Sequence, residues 1–409
     1  MKTHEEKLKS YARLVIEKGI ALSAGKPVVI RTSTDAIPFA RALTEEAYAH
    51  GASNVIVNIS DDEITRARFL HAADDTFEKV PASLVLEMKE YREMDASFIA
   101  IDSGDPDLLK PVDPKRISAA SRARSTALKE HNDALMNDEF VWCVVAYADP
   151  AWAKKVFPDL PEDEAVEKLW EEIYKTTRVD KDDPVKAWEE HLAKLEEKMR
   201  FLNDARFDKL VYRASNGTDL TIRLPEGHLW LGGAGESRKG HPFVANMPTE
   251  EVFTMPHKYG VDGIVYSSKP LSLNGKLVDR FWVKFADGYV TDYDAEIGKT
   301  VLDEFFAIDD AARRLGEVAL VPYHSPISLS GIIFQNTLFD ENASCHLAFG
   351  QAYPTTIEGG ENFSSEELDA HGANESLVHV DFMVGTEDLS IVGVKGDQET
   401  PVFVDGDWA

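Results

Sequence analysis

The most informative chemistry in this 409-residue chain is carried by acids and histidines after residue 240. In Leu377–Val384 a His-x-Asp pair, His379 and Asp381, interrupts an apolar run. In a strand both side chains point to one face, with Val378, Val380 and Phe382 on the other. Burying such a pair needs a compensating charge, and a divalent cation would supply it. Upstream, Leu338–Gly350 contains Glu341 and His346. Five residues apart, they would diverge by about 140° on a helix, so a loop or a helix end must bring them together if they share a ligand. Glu317 opens the apolar run Val318–Val321, and Glu250 and Glu251 follow Met247-Pro248-Thr249. Taken singly, each has an ordinary explanation: a solvated strand end, a capped helix start, a satisfied core histidine. Tyr353, just ahead of Pro354, reads alone as a packing residue.

Taken together, one of Glu250 and Glu251, with Glu317, Glu341, Asp381, His346 and His379, makes four carboxylates and two imidazoles. Mixed donors of this kind suit zinc, cobalt or manganese. One ion needs three or four protein ligands, so six candidates point to two ions sharing a carboxylate and a water. The His-Glu-x-x-His pattern of single-zinc proteases is absent.

The elements that must hold these residues fall into two halves. Up to about residue 205 the chain alternates helical patterns with short β-branched runs. Helices are expected to about Ile20, over Ala36–His50 and over Arg116–Leu135; strands at Pro27–Arg31, Asn54–Val57, Phe98–Ile101 and Phe140–Tyr147. This is the pattern of an α/β domain, a mostly parallel sheet with flanking helices. Charged helices anchored by Trp170, Trp188, Leu192 and Leu195 close it. Residues 206–409 read as a β-rich α+β catalytic domain, with strands at Lys209–Arg213, Asp219–Arg223, Val261–Tyr266, Arg280–Phe285 and Leu377–Val384 and one helix at Ile297–Leu315. Neither a dinucleotide fingerprint nor a phosphate loop occurs in the first half. Gly232-Gly233-Ala234-Gly235 lacks their spacing and reads as a flexible turn.

Composition narrows the partners. With 44 basic against 72 acidic residues the net charge is −28, which repels nucleic acid and anionic membranes. Two cysteines, Cys143 and Cys345, are too few for a disulfide framework and suit a reduced cytoplasm. The opening stretch, residues 1–19, is charged and amphipathic without an apolar signal core. The longest apolar run, Phe140–Ala148, is far shorter than the roughly 20 residues of a membrane span.

Four blocks, NMPTEEVFT, GEVALVPYHSPIS, LFDENASCHLAFG and HVDFMVG, resemble in order and spacing the signature of the M29 family of metallo-aminopeptidases. The resemblance extends over essentially the whole chain. It implies an α/β first domain, a catalytic second domain with two divalent ions, and a homodimer acting on peptides with a free N-terminus. Matched residue by residue, the metal ligands fall on Glu251, Glu317, Glu341, His346, His379 and Asp381; the 66-residue spacing to Glu317 favours Glu251 over Glu250. Tyr353 matches the active-site tyrosine, a donor to the developing oxyanion. Proton transfer falls first to Glu317 and second to Glu250. The competing readings are another two-metal amidohydrolase and a non-catalytic acidic metal-binding protein.

Overall fold

The computed structural model describes residues 2–273 and 276–409; Met1, the first residue of the amphipathic opening stretch, lies outside them, as do Asn274 and Gly275. The chain divides into two compact units, Met1–His191 with Ala234–Pro248, and Leu192–Gly233 with Thr249–Ala409.

The first unit is built on a five-stranded sheet in the order Asn246–Met247, Trp142–Ala146, Ser97–Asp102, Pro27–Ser33, Asn54–Ser60. Every pairing is parallel. Its interior strand Pro27–Ser33 is Pro-Val-Val-Ile-Arg-Thr-Ser, whose β-branched Val28, Val29 and Ile30 are buried, as expected of a parallel strand covered on both faces. The α/β expectation is thus met. The helical stretch expected over Arg116–Leu135 is in fact two helices, Pro114–Ala127 and Lys129–Met136. The break is at Leu128, which leaves helical geometry (φ −101°, ψ 16°) and buries its side chain. Helices Asp62–His71, Ala82–Glu93 and Pro150–Val156 add to those legible in sequence.

Asp138 follows helix Lys129–Met136 in the left-handed region, with φ 50°. Burial pushes its carboxyl from 3.8 up to about 6. A folded-state pKa above the unfolded one contributes stability below about pH 4 that is lost as pH rises through about 6. Asn tolerates this backbone conformation and carries no charge. Asp138→Asn should therefore raise stability by about 1–3 kcal/mol near neutral pH and lose that gain near pH 4. Denaturant unfolding at the two pH values reads this directly.

The second unit packs two antiparallel sheets. One has nine strands, among them Lys209–Arg213, Asp219–Arg223, Val261–Tyr266, Lys276–Ala286 and Ser390–Lys395. The other has five, in the order His379–Met383, His346–Gly350, Leu315–Leu320, Val252–Thr254, Leu231–Gly232. Their apolar faces meet in one core that joins Tyr212, Ile222, Phe281 and Phe285 to Val318, Leu347, Phe349 and Phe382. Phe349 stacks on Phe382 at 4.4 Å, and Phe281 reaches Phe382 from the larger sheet at 5.6 Å.

Two expectations are corrected here. Only Lys299–Phe305 of the stretch 297–315 is α-helical, followed by a 3₁₀ turn at Asp310–Arg313. Ile297 ends a strand, Gly298 turns the chain at φ 80°, and Asp309 caps a fresh turn by accepting from Ala312 N at 2.6 Å. Gly232 is not part of a flexible turn: it pairs with Val252 in the smaller sheet, where a Cβ would sit 2.4 Å from the Glu251 carbonyl oxygen. Among the described residues no helix is long and apolar enough to cross a membrane.

Candidate metal centre

Three adjacent strands of the smaller sheet aim their polar residues to one face. Ala348 on the middle strand pairs with Glu317 on one side and Asp381 on the other. Two residues to either side of Ala348 lie His346 and Gly350, the latter opposite His379. Alternation sends Val318, Leu347, Phe349 and Phe382 into the core behind. The small side chains of Ala348 and Gly350 leave space between the acids and imidazoles flanking them.

Glu317 reaches this face through a bulge. Leu315 pairs with Phe349, but Glu317 pairs with Ala348, so Gly316 is the extra residue. In a regular strand Leu315 and Glu317 would share a face; with the bulge, Leu315 joins the core and Glu317 the polar cluster. A Cβ on Gly316 would sit 2.3 Å from the Gln351 carbonyl oxygen and 2.4 Å from that of Gly350. The Gln351 carbonyl also accepts from His379 Nδ1 at 2.7 Å. Gly316→Ala is expected to displace both Glu317 and His379 and to weaken metal binding by about 10–100-fold, measured by competition with a chelating dye.

The five residues form two groups that share Glu317. In one, His346 Nε2 lies 3.2 Å from Glu251 Oε2 and 3.4 Å from Glu317 Oε1. In the other, His379 Nε2 lies 3.5 Å from Glu317 Oε2 and 3.4 Å from Asp381 Oδ1. Within each group the candidate ligand atoms lie within 4.8 Å of one another. Both imidazoles pair their Nδ1 with a backbone carbonyl, His346 with Ser344 O at 3.2 Å and His379 with Gln351 O at 2.7 Å. Nδ1–H is thereby the assigned donor, and Nε2 faces the carboxylates.

This donor set fits divalent cations. Neutral imidazole Nε2 and carboxylate oxygens are all acceptors, so a proton or a metal must stand between them. The contacts of 3.2–3.5 Å are long for charged hydrogen bonds, near 2.7–2.9 Å. They match the roughly 3.3 Å edge of a tetrahedron of ligands around a zinc-sized ion. Electrostatics point the same way. Burial, opposed by His346 and His379 but aided by Asp381 and Glu251, raises the Glu317 carboxyl above its usual range. Burial and then the charges of Glu251 and Asp381 push Glu341 well above it. Burial works against a charged His379, yet Asp381 and Glu317 hold it up at about 9. After burial, the strongest influences on these groups come from one another, not from any Lys or Arg. The cluster is thus acidic, buried and uncompensated by protein cations, the condition a bound metal relieves.

Glu341 lies beside the two groups without entering either, at the end of helix Thr337–Asp340. Its neighbour Asn342 is fully buried and ties the acid-bearing segments together. Asn342 accepts from Glu250 N at 2.7 Å and donates to Leu338 O at 3.1 Å and to Glu341 Oε1 at 3.4 Å. Glu250 is buried and enters neither group. Tyr353 packs edge-on against His379, with ring centroids 5.0 Å apart, and against Phe253 at 5.9 Å. Burial, then the charges of Glu317, Asp381, Glu341 and Glu251, keep its hydroxyl protonated well beyond neutral pH. It therefore faces the cluster as an O–H donor. Cys345, whose thiol burial pushes up to about 12, bonds Val321 and is an inert neighbour. Gly316, Asn342 and the Gln351 carbonyl are the supporting parts that sequence reading missed. An isolated glycine at a strand start is a bulge signal that could have found the first.

The family model described as thermophilic metalloprotease (M29) matches residues 4–408. The chain belongs to the thermophilic metalloprotease (M29) family. The resemblance drawn from four short blocks holds from end to end. Among its M29 relatives, Aminopeptidase 2 of Geobacillus stearothermophilus is 47% identical over 410 residues, 100% of this chain and 99% of that one. Aminopeptidase T of Thermus aquaticus is 42% identical over 409 residues, covering 100% of both. The solved structure of wild-type AmpT from Thermus thermophilus superposes with a TM-score of 0.94 at 41% identity, again over 100% of each chain. M29 membership makes metal dependence a property of the family to which this cluster belongs.

Proposed function

We propose that this M29 chain is a metal-dependent aminopeptidase that releases N-terminal residues from peptides, with two divalent ions held by Glu251, Glu317, Glu341, His346, His379 and Asp381. The observation that carries the reading is Glu317, which turns one carboxylate oxygen toward each imidazole. A carboxylate so placed is suited to bridge two ions. Zinc, cobalt and manganese all accept this mixture of oxygen and nitrogen donors. When bound, such a pair supplies a water ionisable near neutral pH and polarises the scissile carbonyl.

The chain's own groups do the rest. The Nδ1 bonds to Ser344 O and Gln351 O fix the imidazole rings. The Tyr353 hydroxyl donates to the oxygen that becomes negative as the first peptide bond is attacked. Proton transfer to the leaving amine suits a carboxylate outside both groups, and Glu250, buried next to Glu251, takes that role ahead of Glu317. The net charge of −28 favours a substrate with a free, protonated N-terminus. A cytoplasmic homodimer belongs to the same reading.

The test is hydrolysis of a leucyl chromogenic amide, with its amine free or N-acetylated. Cleavage of the free-amine substrate alone is expected, lost on chelation and restored by zinc, cobalt or manganese. Equal cleavage of both substrates, or activity that survives complete metal removal, would overturn the assignment.

A further inference from the structure

One spot in the first unit runs against the acidity of the chain. Arg31 stands on the interior strand Pro27–Ser33, between Asn58 and Ala100 of its parallel neighbours. Two residues earlier, Val29 pairs with Phe98, and alternation puts Arg31 on the same face. The Phe98 end of that face is covered: Tyr91 meets Phe98 edge-on at 6.3 Å, and His131 does so at 5.7 Å. The Arg31 end is open, and its side chain is exposed although the strand is paired on both sides.

Cations converge over this opening. Helix Pro114–Ala127 contributes Arg124 and carries no acid, while its Arg116 is engaged by Asp74 at 2.8 Å. Arg124 is close enough for burial and then the Arg31 charge to lower its pKa. His131 is held down to about 4 by burial and then by Arg92, Arg124 and Arg31 in turn. Two acids lie nearby: Glu87 accepts from Tyr91 Oη, and Glu130 pairs with Arg92 at 2.7 Å, which leaves Arg31 and Arg124 as the charges open to a ligand. Among the described residues, neither the Arg31 nor the Arg124 guanidinium has a hydrogen bond or an ion pair. Two further polar atoms there, Arg92 Nε and His131 Nδ1, are buried without a partner, which is unusual for buried groups.

The position is one where parallel sheets bind ligands. The chain leaves Pro27–Ser33 for a strand on one side, Asn54–Ser60, and then crosses to the other, Ser97–Asp102. Such a switch point opens a crevice at the carboxyl ends of the strands, and Arg31 lies near that end of its strand. Two guanidinium groups that feel each other's charge suit the oxygens of a tetrahedral dianion better than those of a monoanion. We propose that Arg31 and Arg124, backed by Arg92 and His131, form a binding site for a phosphate dianion, free or as a monoester, within the first unit.

Isothermal titration of the full-length, metal-loaded protein at low ionic strength tests this, with inorganic phosphate, glycerol 3-phosphate and acetate as separate titrants. Saturable binding of one or both phosphates is expected, with acetate inert. Binding of glycerol 3-phosphate as tightly as inorganic phosphate identifies a monoester site; preference for inorganic phosphate identifies the free ion. Arg31→Gln and Arg124→Gln should each weaken binding at least about tenfold, with the unfolding temperature and amide hydrolysis unchanged. No saturable phosphate binding up to about ten millimolar, or binding that persists undiminished in the double variant, would overturn the proposal. The second result would place the anion elsewhere in the molecule.

Discussion

Glu317→Gln is expected to lower kcat/KM by at least about a thousandfold, ~4 kcal/mol of transition-state stabilisation, and to lower the metal content of the purified protein. The amide keeps the size of the side chain but loses the charge that faces both imidazoles. Its effect on stability should change sign with metal. In the metal-free protein, burial and then the neighbouring acids outweigh the two imidazoles in raising the Glu317 pKa, so removing its charge relieves that cost. The metal-free variant should unfold at a higher temperature than metal-free wild type. With metal added, wild type should gain more, because an ion bound only by the folded state stabilises it the more the tighter it binds. A crossing of this kind, read by calorimetry with and without chelator, is the signature of a metal ligand. A side chain whose role was only to support the fold would make the variant less stable in both states.

Tyr353→Phe is the second large effect, of a different kind. The ring contacts to His379 and Phe253 need only the aromatic body, so the fold, the metal content and KM should stay as they are. What goes is an O–H donor that stays protonated beside four carboxylates. Loss of one oxyanion donor costs about a hundred- to a thousandfold in kcat, roughly 2.7–4 kcal/mol. An unchanged kcat would remove the hydroxyl from the reaction. A fall in metal content would make Tyr353 a support for His379 instead.

Much of this site is legible in sequence because its logic is local. His379 and Asp381 share a face by the period of a strand, and the structure has them there. The argument that Glu341 and His346 cannot meet on one helix is also local; the chain ends a helix at Asp340 and begins a strand at His346. The unread parts depend on partners distant in sequence. Every residue has a carbonyl, so nothing in the sequence marks those of Ser344 and Gln351 as the ones that orient the rings. The bulge at Gly316 decides which face Glu317 takes, yet Leu315 and Glu317 read by simple alternation would point the same way. The helix expected over residues 297–315 failed for a related reason. Its apolar spacing suits a helix, but Ile297 and Leu315 are claimed by strands through pairings that only the fold supplies. Asn342, next to Glu341, looks like any loop asparagine until its acceptor is seen to take Glu250 N from 92 residues away.

The central claim is that Glu317 holds two ions at once, and anomalous diffraction from crystals grown with zinc or cobalt tests it most directly. The expected map has two peaks per chain, one between Glu317, Glu251 and His346, the other between Glu317, His379 and Asp381. A single peak at full metal saturation, or peaks that leave Glu317 uncoordinated, would contradict the shared-carboxylate centre.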